Sequence, residues 1–131
     1  MTDRAFTPVR TPGASLVIIA GKFKPNGSSD PSQIVGEGFT VTRSGTGEYA
    51  VTTTRKCEKI VSFCAHLESS SLLGHLRTSS EPTVDADSGL GTAKVTFLSW
   101  VPATPTFTAA NIAAGADEWI HFVMAVTDVG L

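Results

Sequence analysis

Charge is scarce in this sequence: 17% of its 131 residues are Asp, Glu, Lys or Arg, ten basic against twelve acidic, for a net charge of −2. No basic stripe gathers them, so the electrostatic footprint of a nucleic-acid binder is missing. Arg55, Lys56 and Lys59 come nearest, and three charges around a strand start read as a solvated edge. Long apolar runs are missing too. The longest, Leu16 to Ala20, is far short of a membrane span. The start, "MTDRAFTPVRTPG", has no apolar core of a signal peptide, so the expectation is a soluble chain without an export signal of its own. Only two cysteines occur, Cys57 and Cys64. An odd separation of seven puts them on opposite faces of one strand, too far apart to bond, and predicts free thiols and assembly in a reducing compartment.

Catalytic and metal motifs are equally thin. His66, His75 and His121 share no metal-ligand spacing, and surface or interface roles suit them better. "DADSG" (85–89) begins like a calcium loop, but Leu90 stands where a sharp turn needs Gly and Thr96 where a bidentate Glu is required. "GLGTAK" (89–94) lacks the glycine spacing and the hydroxyl of a phosphate loop. No G-x-S-x-G elbow is present. Neither an enzyme nor a cofactor is implied. Asp117 and Glu118 stand at a strand start, where solvated charge is ordinary.

What the chain does have is strand pattern. With 41% hydrophobic residues, 12 Gly and 7 Pro, it points to one all-β domain with many turns. Residues 1–13, holding Pro8 and Pro12, read as an extended N-terminal arm, and 14–131 as a single domain. "ASLVIIAGKFK" (14–24) reads as a strand buried on both faces, and 25–33 as a loop around Asn26-Gly27. Strands follow over 39–43 and 49–52. Another covers 58–68, with Val61, Phe63, Ala65 and Leu67 on its apolar face. Residues 69–79 fit either a helical turn or a short strand. Residues 80–91 read as a loop and 92–101 as a strand apolar on both sides. Residues 102–118 read as a long connection with a helical turn near 109–113. The last strand, 119–128, offers Ile120, Phe122, Met124 and Val126 to a core. These pieces assemble most naturally as an antiparallel β-sandwich of jelly-roll type with long connecting loops.

The most ordered stretch is "GEGFTVTRSGTGEYAVTTT" (36–54). For Phe39 and Val41 to share a face with Tyr49 and Val51, the loop between them must hold an odd number of residues. A three-residue loop, Gly45-Thr46-Gly47, satisfies this with Gly47 left-handed, and sets Val41 opposite Val51 and Arg43 opposite Tyr49. On the last strand, Trp119, His121, Val123 and Ala125 fall on the side away from the core. That side is too apolar for a solvent-facing strand, which marks these four residues as a subunit interface. Trp100 and Trp119 stand at strand rims, where core or subunit contact is commoner than a sugar platform.

The hairpin Gly36-x-Gly38-Phe39-Thr40-Val41-x-Arg43-x-Gly45-x-Gly47-x-Tyr49-x-Val51-Thr52 resembles a signature of small tailed-bacteriophage virion proteins. The late strand Trp119-Ile120-His121-Phe122-Val123 does as well. The likeness extends in layout over residues 14–128, although the motif itself covers only 36–52. It implies a head decoration (cement) protein or head-fibre module, a homotrimer on the capsid surface whose partner is the major capsid protein. Such a protein is assembled in the host cytoplasm and binds neither nucleic acid nor membrane. A receptor- or glycan-binding module of a fibre or tail tip is the alternative, and a small hydrolase a distant third. The resemblance carries no active-site residue.

Overall fold

In a computed structural model the described residues are 10–11, 14–72, 74–78, 81–113 and 117–128, and the fold is all-β. Eleven strands are seen among them: β1 (Arg10–Thr11), β2 (Ala14–Asn26), β3 (Ser29–Gly36), β4 (Phe39–Gly45), β5 (Glu48–Thr53), β6 (Cys57–Glu68), β7 (Gly74–Thr78), β8 (Thr83–Val84), β9 (Gly91–Val101), β10 (Thr106–Ala109) and β11 (Trp119–Asp128). They form two sheets in which every pairing is antiparallel. One runs β2-β11-β6, with β1 and β3 both on the outer edge of β2. The other runs β4-β5-β9, with β10, β7 and β8 also pairing β9. No helix among the described residues is long and apolar enough to cross a membrane.

The sheets are closed on each other by alternate residues. Ile19 and Phe23 of β2 and Ile120, Phe122, Met124 and Val126 of β11 face Phe39, Val41, Tyr49, Val51, Val95 and Phe97 from the other sheet. All are buried, and each large side chain taken out of water contributes ~1.5–3 kcal/mol. The rings are interlocked: Phe39 meets Phe122 edge-on at 4.6 Å, and Phe23 meets Tyr49 at 5.2 Å. Gly21 lies beneath this contact. A Cβ there would fall 2.4 Å from the Phe39 ring, so only a bare backbone leaves room for that ring against β2.

The β4–β5 hairpin pairs Val41 with Val51 and Arg43 with Tyr49 as expected, but Gly45 also pairs, with Glu48, so the loop is the two residues Thr46-Gly47 rather than the expected three, and a bulge at Ser44 keeps the parity. Gly47 has φ +66°. Its amide donates to Asn111 Oδ1 (2.9 Å), which also accepts from Arg43 Nε (3.2 Å) and Nη2 (3.1 Å). The Gly47 carbonyl accepts from Phe97 N (2.9 Å), and the Gly27 amide of the β2–β3 turn donates to Ile112 O (2.8 Å). Residues 110–112 thus strap two hairpin tips together, anchored by buried Ile112.

Several expectations are corrected. Residues 29–33, read as loop, belong to edge strand β3. Its polar sequence shows no alternation because nearly all of it is exposed, and Pro31 is tolerated because β3 is an edge. Of the two readings left open for residues 69–79, the short strand forms, as β7, while the expected loop 80–91 contains β8. No helical turn forms near 109–113. Residues 106–109 fold back on β9 as β10, and 110–113 are irregular. Strand β2 is not buried on both faces, since Ile18 is 59% exposed. Val61 points outward, 56% exposed, because a bulge between Ile60 and Ser62 lets Ile60 take the inward position. A second bulge, at Glu58, restores the parity, leaving Cys57 buried and Cys64 exposed, both as free thiols. Of the expected arm, Arg10 and Thr11 pair with Ser15 and Ala14, and the rest lies outside the described residues.

Candidate functional site: the outer face of the β2-β11-β6 sheet

Strand register sets which outward residues meet. Ile120 opposes Phe23 and Leu67, which fixes every row. The outward rows run Lys24, Trp119, Glu68; then Val35 of β3, Lys22, His121, His66; then Ala20, Val123, Cys64; then Ile18, Ala125, Ser62. The four residues singled out on β11 therefore form the centre line of this face. Val123 is 49% exposed, while Trp119, His121 and Ala125 are half-buried by their neighbours. The turn glycines Gly45 and Gly47 lie elsewhere, in the other sheet beneath the 110–112 strap.

The lower half of the face is apolar. Ile18, Ala20 and Val123 are exposed in adjoining positions, with Val35 at 49% on the neighbouring edge. An open depression of about 470 Å³ forms among Ala20, Val35, Val123 and the two histidines, with Gly21 and Gly36 in its lining.

The upper half is polar and tightly organised. The His66 and His121 rings stack at 4.7 Å, only 7° from parallel. His121 Nε2 donates to Glu68 Oε1 at 2.5 Å. That hydrogen bond holds the Glu68 carboxyl below the usual carboxylate range, helped by the positive surroundings of His121, Lys22 and His66. The ammonium groups of Lys22 and Lys24 lie over the Trp119 ring, 4.4 and 5.2 Å from its centroid.

No group of three or more His, Cys, Asp or Glu side chains that could hold a metal occurs among the described residues. Asp85 serves its turn: its carboxylate accepts from Ser88 N at 2.7 Å, and those hydrogen bonds lower its pKa. His75 lies on the other sheet against Phe107, which also packs on Trp100.

Sequence reasoning missed the partners of the β11 line. Lys22, Lys24, Ile18, His66 and Glu68 join the face only through the pairing of β2 and β6 with β11, which no local pattern announces. The one available signal was the parity of Ser62, Cys64 and His66, opposite the apolar set of β6. Compared with known proteins, the chain matches no family model, no curated protein and no solved structure.

Proposed function

We propose that this chain is a non-enzymatic structural protein of a tailed-phage virion. It is a decoration protein that associates with copies of itself through the outer face of the β2-β11-β6 sheet and binds the assembled head. The observation that carries self-association is the exposed apolar cluster Val35, Val123 and Ile18, on three successive rows of a sheet whose other side already builds the core. A second copy is the occupant to which we commit. Trp119 stands at the upper end of the same face, one row beyond the histidines, with Lys22 and Lys24 over its ring. The virion assignment, the trimer and the major capsid protein as partner rest on the hairpin of residues 36–52 and its likeness to phage head proteins. We also read the strand order as jelly-roll in kind. In it the terminal strands β2 and β11 are adjacent and β9 lies between β5 and β7. Binding only to the expanded shell would stabilise it by mass action.

A sugar platform is less well supported. Trp119 carries lysines over its ring and Trp100 packs against Phe107, which leaves less of either ring for a ligand. The test is a mass-spectrometric count of this chain per purified particle. Hundreds of copies are expected of a decoration protein. A dozen or fewer would overturn that role and indicate a fibre, collar or vertex part.

A further inference from the structure

We propose that residues 6–9 of this chain extend β1 and close the outer edge of β2 over Leu16–Ile19. The reading is independent of any contact between copies. It starts from a gap in the pairing. Along that edge β1 takes Ala14 and Ser15, and β3 takes over from Gly21 to Asn26. No described strand pairs with the edge between them, although β2 runs through unbroken and pairs β11 on its other side from Leu16 to Phe23. Strand β3 ends at Gly36, where a Cβ would lie 2.8 Å from the Ala20 carbonyl oxygen, so that end of the gap is occupied. The free length is the four residues Leu16–Ile19. Unpaired main chain along a sheet edge is a template for a further strand.

The register of β1 supplies the occupant. Arg10 opposes Ser15 and Thr11 opposes Ala14. Continued without a slip, that register sets Val9 opposite Leu16, Pro8 opposite Val17, Thr7 opposite Ile18 and Phe6 opposite Ile19. Two features of the sequence agree with it. The first is polarity. Ile19 is buried and Val17 packs against the core, while Ile18 lies on the outer face. Phe6 and Pro8 share the core side with Ile19 and Val17, and Thr7 falls outside beside Ile18. The second is hydrogen bonding. Thr11 and Ala14 close a two-residue loop, Pro12-Gly13, so they form a hydrogen-bonded pair, and such pairs alternate along the ladder. Val9 and Thr7 then exchange bonds with Leu16 and Ile18. Pro8 falls at a position whose nitrogen faces away from β2, where an edge strand accommodates a residue with no N–H. A slip of one residue would put Pro8 where a donor is required and turn Phe6 outward.

The experiment is amide hydrogen exchange, read by NMR on the full chain. The amides of Leu16 and Ile18 point into the gap, and those of Val17 and Ile19 point to β11, where they report that the fold persists. In the wild type all four should exchange slowly. Thr7→Pro removes the donor that faces Ile18 and should speed exchange at Leu16 and Ile18 by at least about tenfold, while Val17 and Ile19 stay slow. Pro8→Ala restores an N–H on the solvent side only and should leave all four slow. Fast exchange at Leu16 and Ile18 in the wild type overturns the added strand. Slow exchange that survives Thr7→Pro does so too, because something else then covers the edge. Loss of protection in Pro8→Ala overturns the register. Protection that rises with protein concentration assigns the strand to another copy and overturns closure within one chain.

Discussion

Replacing Gly47 by alanine probes the most constrained point of the fold. Two penalties coincide there. At φ +66° a side chain strains the backbone by ~1–2 kcal/mol. The new Cβ would also lie 2.2 Å from the Ala110 carbonyl oxygen, a backbone atom that cannot rotate away. Relief requires moving the 110–112 strap, which carries Asn111 and its hydrogen bonds to the Gly47 amide and the Arg43 guanidinium. Each of the three bonds contributes ~1 kcal/mol net, so the total loss should be roughly 4–5 kcal/mol if all are lost. Two other glycines separate the penalties. Gly27 has φ +61° but open space around its Cβ position, so Gly27→Ala isolates the backbone strain at ~1–2 kcal/mol. Gly45 has neither penalty, its nearest neighbour being 3.6 Å away, and Gly45→Ala should change stability by under about 0.5 kcal/mol. Urea denaturation of the three variants, with midpoints converted at a common slope, gives the ranking. Equal losses for Gly47→Ala and Gly27→Ala would refute the strap, because the second penalty would then be missing.

The other expectations concern the core and one turn. Tyr49 is fully buried and its hydroxyl finds no hydrogen-bond partner among the described residues, while burial pushes its pKa up. Tyr49→Phe should therefore be neutral or stabilising by ~1 kcal/mol in the same denaturation assay, and a loss above that would mean the hydroxyl has a partner. Gly21→Ala forces a methyl group to 2.4 Å from the Phe39 ring and 2.7 Å from the Val35 carbonyl. It should cost on the order of 1–3 kcal/mol and disturb the near-ultraviolet dichroism of the ring cluster, and an unchanged spectrum would contradict the contact. Asp85 has a lowered pKa because the folded turn hydrogen-bonds its charged form. Its stabilising effect should be complete above the ordinary aspartate value of 3.8 and disappear as pH falls through its lower folded value. The stability gap between wild type and Asp85→Ala should accordingly be present at pH 7 and close as pH falls below the ordinary aspartate value of 3.8 and through the lower folded one, and a gap constant with pH would contradict it.

Where one face of a strand is buried, the sequence was readable. Ile120, Phe122, Met124 and Val126 alternate without a break because β11 is central and covered on one side only. The β4–β5 register followed from parity plus a glycine pair. Edges and bulges were not readable. Strand β3 is held by main-chain pairing to β2 beyond the Gly27 turn, and its side chains carry almost no burial signal. The bulge that turns Val61 outward leaves the composition of β6 unchanged, so periodicity alone assigned that residue to the wrong face. Of the candidate site, the β11 line was legible because it lies on one strand. The histidine stack and the lysines over Trp119 depend on which strands become neighbours, a property of the topology that no local stretch encodes.

The central claim is that the outer face of the β2-β11-β6 sheet joins copies of this chain. Val123 is the residue to change, since it is half-exposed at the middle of the apolar patch and outside the core. Light scattering of the purified chain at pH 8.0 and tens of micromolar should give about three times 13.7 kDa, and Val123→Glu should give 13.7 kDa with the fold intact. A wild-type mass of 13.7 kDa, unchanged by Val123→Glu, would contradict the account and leave the exposed patch without its second copy.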